Sequence, residues 1–304
     1  MKCKKITLLD DCRLSEQAIE NIAKFSTEPI AVYKDTPSSK KDILERIAGA
    51  DCVLVSSRTR IDADIIEAST SLQYIGMCCS LYDAKSANVD IAAAVKHGIT
   101  VKGVRDYGDE GTVEFLFAQL IYLCKGLGVK KWRSENSELK NKSIGIIGLG
   151  TLGQMVAKTA AHFGMQVFYF SRTRKQALEN EHLQFLPLQE LLAHCDVVTT
   201  HVPKHTILLT EKEFRIKKKN SILINTSLGL TFEKQAFLQW LSADNTSFAI
   251  FDGDGAGIHY PEFQHIENII LSDSSAGFTI EAKQRLSEKV LDNLVSYLSE
   301  KGKQ

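Results

Sequence analysis

Three glycines, Gly148, Gly150 and Gly153, stand in the spacing G-x-G-x-x-G inside the run Gly145-Ile146-Ile147-Gly148-Leu149-Gly150-Thr151-Leu152-Gly153. An apolar strand-like stretch precedes them and the helix-like Gln154 to Phe163 follows, which is the context that gives the spacing chemical meaning. Gly148 permits a tight turn, Gly150 lets backbone approach a pyrophosphate, and Gly153 lets helix and strand pack closely. The pyrophosphate then sits on the amide-rich helix start, beside Thr151 and Leu152. The motif predicts dinucleotide binding; the competing reading is a structural turn of an α/β domain.

About twenty residues on, an NAD-preferring site carries an acidic residue that holds the ribose hydroxyls. Here Val167-Phe168-Tyr169-Phe170 is followed by Ser171-Arg172-Thr173-Arg174-Lys175. A neutral serine repels no 2′-phosphate, and Arg172 offers it a planar fork of donors. Ser171, Arg172 and Thr173 therefore predict NADP(H) over NAD(H). The alternative is a basic surface loop with loose cofactor choice.

These groups need a sheet to hold them. Apolar runs alternate with helical stretches at Ile6 to Leu9, Ile30 to Tyr33, Cys52 to Val55, Tyr74 to Met77 and Ile99 to Val101. A second series begins at Ser143 to Ile147 and continues through Val167 to Phe170, Val197 to Thr200, Ile222 to Ile224, Phe248 to Phe251 and Ile269 to Leu271. Such alternation predicts two successive parallel sheets covered by helices. Glu110 to Leu127 has little polar surface, which predicts a helix buried between the two units. Thr279 to Leu298 predicts a closing helix.

In 304 residues, 37 Lys and Arg balance 37 Asp and Glu, so no basic field favours nucleic acid. Lys217-Lys218-Lys219 reads as a solvated face. The seven cysteines form no CxxC pair, and no His, Cys, Asp or Glu spacing suggests a metal. With the apolar start stopping at Asp10-Asp11 and no run of membrane-spanning length, the expectation is a cytoplasmic protein with no membrane partner.

From about Val53 to Ala282 the chain resembles the D-isomer-specific 2-hydroxyacid dehydrogenases. The matching phrases are Leu72-Gln73-Tyr74-Ile75-Gly76, Asn88-Val89-Asp90, His97-Gly98-Ile99, the Gly148 loop, Cys195-Asp196-Val197-Val198 with His201-Val202-Pro203, Ile224-Asn225-Thr226 and Asn268-Ile269-Ile270-Leu271. The resemblance implies an α/β fold of two Rossmann-like or flavodoxin-like parallel-sheet domains. Residues 1–102 plus 279–304 would form a substrate lid, and 103–278 an inserted NAD(P)-binding domain. It further implies a homodimer, a small-molecule ligand in the interdomain cleft, and a cofactor site lined by His201, Pro203, Thr226 and Asp252.

The resemblance also says what the oxidoreductase chemistry uses: an arginine to grip a 2-keto acid, a histidine to protonate the forming alkoxide, and a glutamate to hold that histidine. In this chain Leu228 takes the arginine's place, Gly257 the glutamate's and Ser274 the histidine's. Loss of a proton donor alone costs about 10²- to 10⁴-fold in rate. The glycine-rich substrate turn of relatives reads Met77-Cys78-Cys79-Ser80-Leu81-Tyr82-Asp83-Ala84-Lys85-Ser86, with Cys78 and Cys79 read as buried. His259, in the loop Asp252 to Tyr260, is the candidate replacement proton donor. Two readings follow: an NADP(H)-dependent oxidoreductase for an atypical carbonyl or hydroxyl substrate, or a catalytically inactive homologue that binds the dinucleotide for sensing or partner binding.

Overall fold

The computed structural model describes residues 1–302, and its internal contacts divide the chain into two compact units. One comprises Met1–Tyr107 and the segment from Thr279 onward; the other is Gly108–Phe278. Residues 303–304, the end of the expected 279–304 span, lie outside the described residues.

The first unit holds β1 (Ile6–Leu8), β2 (Ala31–Val32), β3 (Cys52–Val55), β4 (Tyr74–Ser80) and β5 (Thr100–Val104), all parallel, in the order β2-β1-β3-β4-β5. Helices α1 (Glu16–Ala23), α2 (Lys40–Ile47), α3 (Ala63–Ala68) and α4 (Ile91–Lys96) connect them. Each starts at a polar cap, Ser15, Ser39, Asp62 or Asp90, whose side chain accepts an otherwise orphaned amide of the first turn. β4 runs three residues past the expected Met77, through buried Cys78 and Cys79, because a register shift lets Ser80 pair with Val104 of β5. The C-terminal helix, Ile280–Lys301, packs Leu286, Val290, Leu294 and Leu298 against this sheet. Arg285 Nε donates to the carbonyl of Tyr107 at 2.9 Å, joining the end of the first segment to that helix.

The second unit holds β6 (Ser143–Ile147), β7 (Gln166–Phe170), β8 (Leu183–Phe185), β9 (Val197–Thr200), β10 (Ile222–Asn225), β11 (Phe248–Phe251) and β12 (Ile269–Leu271). They form one parallel sheet in the order β12-β11-β10-β9-β6-β7-β8. Strand order reverses between β6 and β9, and such switch points open a crevice at the carboxyl ends of the strands. Helices α5 (Asp109–Lys125), α6 (Thr151–His162), α7 (Leu188–His194), α8 (Glu211–Ile216), α9 (Lys234–Ala243), α10 (Gly253–Ala256) and α11 (Tyr260–Phe263) complete the unit. Alternate strand residues feed opposite cores: Ile222 and Ile224 pack with α5 and α6, while Leu223 packs with α7, α8 and α9.

α5 contributes to the core of the second unit: Val113, Leu116, Phe117, Leu120 and Leu123 join the cluster beneath β6, β7 and β9. One expectation changes here. Lys217 is not part of a solvated face. It is only 5% exposed, its ammonium lies 4.9 Å over the Trp240 ring, and its Nζ donates to Ser221 Oγ at 2.7 Å. The burial depresses its pKa to about 7. Its neighbour Lys218 pairs with Asp196 at 2.9 Å.

Among the described residues, no helix is long and apolar enough to cross a membrane.

Candidate functional site

The glycine loop sits at the switch point, between the ends of β6 and β9. Gly148 adopts φ +100°, and a Cβ there would lie 2.1 Å from the His201 carbonyl oxygen, so only glycine fits. That close approach is closed by two main-chain bonds of 2.8 Å, Gly148 N to Phe170 O and His201 N to Ile147 O. A Cβ on Gly153 would lie 2.1 Å from the Gly148 carbonyl, which is the close packing of α6 on its strand. Gly150 is different: nothing lies within 4 Å of its missing side chain. It opens α6 without a side-chain cap, leaving the first-turn amides of Thr151 and Leu152 available to an anion.

The end of β7 borders this loop. Ser171 Oγ accepts from Leu149 N at 3.1 Å, and Lys175 Nζ donates to the Leu149 carbonyl at 2.6 Å. Arg174 is committed to Glu179 through two bonds of 2.8 and 2.6 Å. That guanidinium, with the Tyr169 hydroxyl adding a bond, holds the Glu179 carboxyl down at about 2. Arg172 and Thr173 are exposed, and the Arg172 guanidinium has no partner among the described residues. Sequence reasoning did not single out Lys175 or the Tyr169-Glu179 brace. The run Arg172 to Lys175 was the available signal, but sequence cannot say which cations are already paired.

After β9 and β10 come the remaining expected cofactor residues. His201 Nε2 lies 3.0 Å from Thr199 Oγ1, whereas its Nδ1 is buried with no partner. Burial pushes that imidazole down to about 4, so the ring is neutral at physiological pH. Pro203 is exposed in the loop beyond it. Thr226 Oγ1 is likewise buried and unpartnered. Unmatched polar atoms of this kind are costly unless something bonds them, and two of them beside a glycine loop fit a bound dinucleotide.

Asp252 is already occupied by the protein. Its two carboxylate oxygens accept from Gly255 N at 2.7 Å and Ala276 N at 2.8 Å, tying the loop after β11 to the loop after β12. Burial raises its pKa to about 6 despite those amides. Asn225 does the same work one strand over, donating through Nδ2 to the carbonyls of Gly229 and Gly255.

Between these braces Leu228 projects from a fixed turn, 41% exposed. Ser227 Oγ donates to Thr200 O, and Gly229 N donates to Asp254 O. Gly257 sits at φ +52° close to Gly229, and Ser274 Oγ donates to Asp273. His259 stacks on buried Phe263, with Nδ1 4.0 Å from Glu262 Oε2, too long for a hydrogen bond. Glu262 is already paired with Lys234 at 2.9 Å.

Residues 120–270 match the model of the D-isomer-specific 2-hydroxyacid dehydrogenase NAD-binding domain. The chain belongs to that family. Among relatives, the glyoxylate reductase of Thermococcus litoralis is 29% identical, the alignment covering 94% of this chain and 91% of the relative. The glyoxylate reductase of Pyrococcus horikoshii is 28% identical over 90% of this chain and 87% of its own. Among solved structures, an acyclic imino acid reductase in complex with NADPH and D-Arg superposes with a TM-score of 0.82 at 26% identity, covering 97% of both chains. The NAD+-bound 3-phosphoglycerate dehydrogenase of Entamoeba histolytica shares the fold, with a TM-score of 0.79 at 20% identity over 98% of this chain and 96% of that one. The glycine loop lies within the residues that match the NAD-binding domain, a domain whose cofactor is a nicotinamide dinucleotide.

Proposed function

We propose that the chain is an NADP(H)-preferring oxidoreductase whose substrate is an atypical carbonyl or hydroxyl compound, not a simple 2-keto acid. The observation that carries the cofactor preference is the end of β7. Ser171, a neutral residue, is bonded to the glycine loop, and the uncommitted Arg172 stands beside it. A 2′-phosphate there meets no carboxylate and gains a bidentate donor. The solved imino acid reductase, which holds NADPH, supports this reading and widens the group to be reduced to C=N as well as C=O.

When bound, the dinucleotide supplies a hydride. The first-turn amides of α6 would hold its pyrophosphate, and Thr226 Oγ1 and His201 Nδ1 would bond its nicotinamide end. Leu228 gives a carboxylate no counter-charge, so a simple 2-keto acid would leave water for an unpaired position.

The test is a pair of dissociation constants, for NADPH and NADH, followed by NADPH consumption across a carbonyl panel. Tighter NADPH and turnover of at least one panel member are expected; tighter NADH overturns the preference. A second reading, an inactive dinucleotide-binding homologue, is favoured by Leu228, Gly257 and Ser274 at the three working positions. Tight NADPH binding with no turnover of any substrate would establish it.

A further inference from the structure

Three segments meet at the carboxyl end of the sheet beyond the glycine loop: residues 225–230, 252–258 and 272–276. They are held together by Gly229 N to Asp254 O at 2.9 Å, Asn225 Nδ2 to Gly255 O at 3.1 Å, Gly253 N to Ser274 O at 3.0 Å and Ala276 N to Asp252 at 2.8 Å. Between them they carry three aspartates and no lysine, arginine or histidine. Asp252 spends both oxygens on main-chain amides. Asp254 does not: its carboxylate has no partner among the described residues, while its own carbonyl fixes the Leu228 turn. Two large aliphatic side chains stand in the same turns. Leu228 is 41% exposed and Ile258 90% exposed, on backbones that abut where Gly257 approaches Gly229. Thr226 Oγ1, in the first of these segments, is buried with no partner.

We infer that this edge binds a cationic C=N compound, an iminium carried on a hydrocarbon framework, with Asp254 facing the positive nitrogen and Leu228 and Ile258 lining the hydrocarbon. The inference deepens the oxidoreductase reading and names its substrate class. An anion meets only carboxylates here, and an apolar wall offers a charged acid no donor. A cation gains an unpaired carboxylate in segments that hold no competing lysine, arginine or histidine.

The electron count agrees with the missing proton donor. When a ketone takes up a hydride at carbon, the C=O π pair moves to oxygen, and the resulting alkoxide must be given a proton. When an iminium takes up a hydride at carbon, the C=N π pair moves to nitrogen and the product is a neutral amine. NADPH is the reductant and leaves as NADP+, and no protein acid is consumed. Ser227 Oγ donates to a carbonyl and the His201 ring is neutral, so neither is a charged acid at this edge. These three segments hold no such donor, the nearest histidine in sequence being His259, which stacks on Phe263 just beyond them, and that arrangement suits the second reaction better than the first.

The test uses N-methylpyrrolinium, its neutral isostere cyclopentanone, and glyoxylate as the anionic probe. Each is titrated calorimetrically into wild-type protein and Asp254→Asn in the presence of NADP+, and each is then offered with NADPH. Asp254→Asn is isosteric on a side chain that holds no structural contact; an unchanged melting temperature checks the fold. N-Methylpyrrolinium is expected to bind, and Asp254→Asn is expected to weaken that binding about tenfold while leaving cyclopentanone unaffected. With NADPH, its kcat/KM is expected to exceed that of cyclopentanone by about 10²-fold or more, the deficit of a carbonyl reaction without its acid. Pyrrolinium binding that ignores Asp254→Asn, or glyoxylate binding tighter than pyrrolinium, overturns the inference. Turnover of carbonyls alone overturns it and spares the oxidoreductase reading. Asp254-dependent pyrrolinium binding with no turnover of any compound spares the binding claim and sinks the oxidoreductase reading.

Discussion

One sheet edge carries two contrasting regions. At the ends of β6, β7 and β9, the loop glycines each have a steric reason or an open approach, and the buried Nδ1 of His201 has no protein partner. At the ends of β10, β11 and β12, the polar groups are largely spent on one another, and what projects outward is aliphatic or acidic. The two regions answer to different constraints. A dinucleotide seat depends on backbone shape, which tolerates no substitution at Gly148. A substrate seat depends on side chains set on a braced backbone, and those exchange without disturbing the brace.

The largest expected effect breaks the first region. Gly148→Ala places a methyl 2.1 Å from the His201 carbonyl at a φ of +100°. NADPH affinity should fall by roughly a hundredfold or more, and the melting temperature should fall with it. Gly150→Ala sharpens the contrast. Its site is open, so the melting temperature should hold while NADPH binding weakens, because the methyl occupies the pyrophosphate approach. Equal behaviour of the two variants would contradict the steric assignment.

Next comes a control far from the site. Lys217 has a folded pKa of about 7, well under the ordinary lysine value of 10.5. Below about pH 7 the ammonium is charged in both states, and its burial destabilises the fold in full. Between about 7 and 10.5 the unfolded chain holds the extra proton, so stability rises with pH. Lys217→Met should therefore be more stable than wild type at pH 6 by roughly 3 to 5 kcal/mol, with the gap closing toward pH 10. Denaturant midpoints at the two pH values check it. The cofactor edge should not respond, and NADPH affinity of the variant at pH 7 is the readout.

Smaller still, Arg172→Ala should weaken NADPH about tenfold and leave NADH unchanged. Arg174→Ala serves as its comparison. Because Arg174 is held by Glu179, its loss should act on the stability of the β7 loop more than on the choice between cofactors.

Much of this was legible in sequence where the signal is local. Gly148, Gly150 and Gly153 announce a backbone shape, and the alternating apolar runs announce two parallel sheets. β8 escaped notice because Leu183-Gln184-Phe185 is three residues long in polar surroundings. The fate of Lys217 was hidden because its cover, Trp240, comes from α9, more than twenty residues away. The division of labour among Arg172, Arg174 and Lys175 was equally hidden, since Glu179 and the Leu149 carbonyl decide it in space. Asp252 looked like a ligand-facing acid, yet Ala276 and Gly255 claim both its oxygens. That Leu228, Gly257 and Ser274 stand at the family's arginine, glutamate and histidine positions is what the resemblance implies. That they lie on a cation-free edge needed three loops to be seen together.

The most direct measurement is a sequential titration in one calorimeter cell, NADPH first and then glyoxylate into the saturated complex. Saturable NADPH binding followed by no detectable heat of glyoxylate binding is expected. Glyoxylate binding to the NADPH complex with submillimolar affinity would show that the acid-gripping site persists, and would contradict the account.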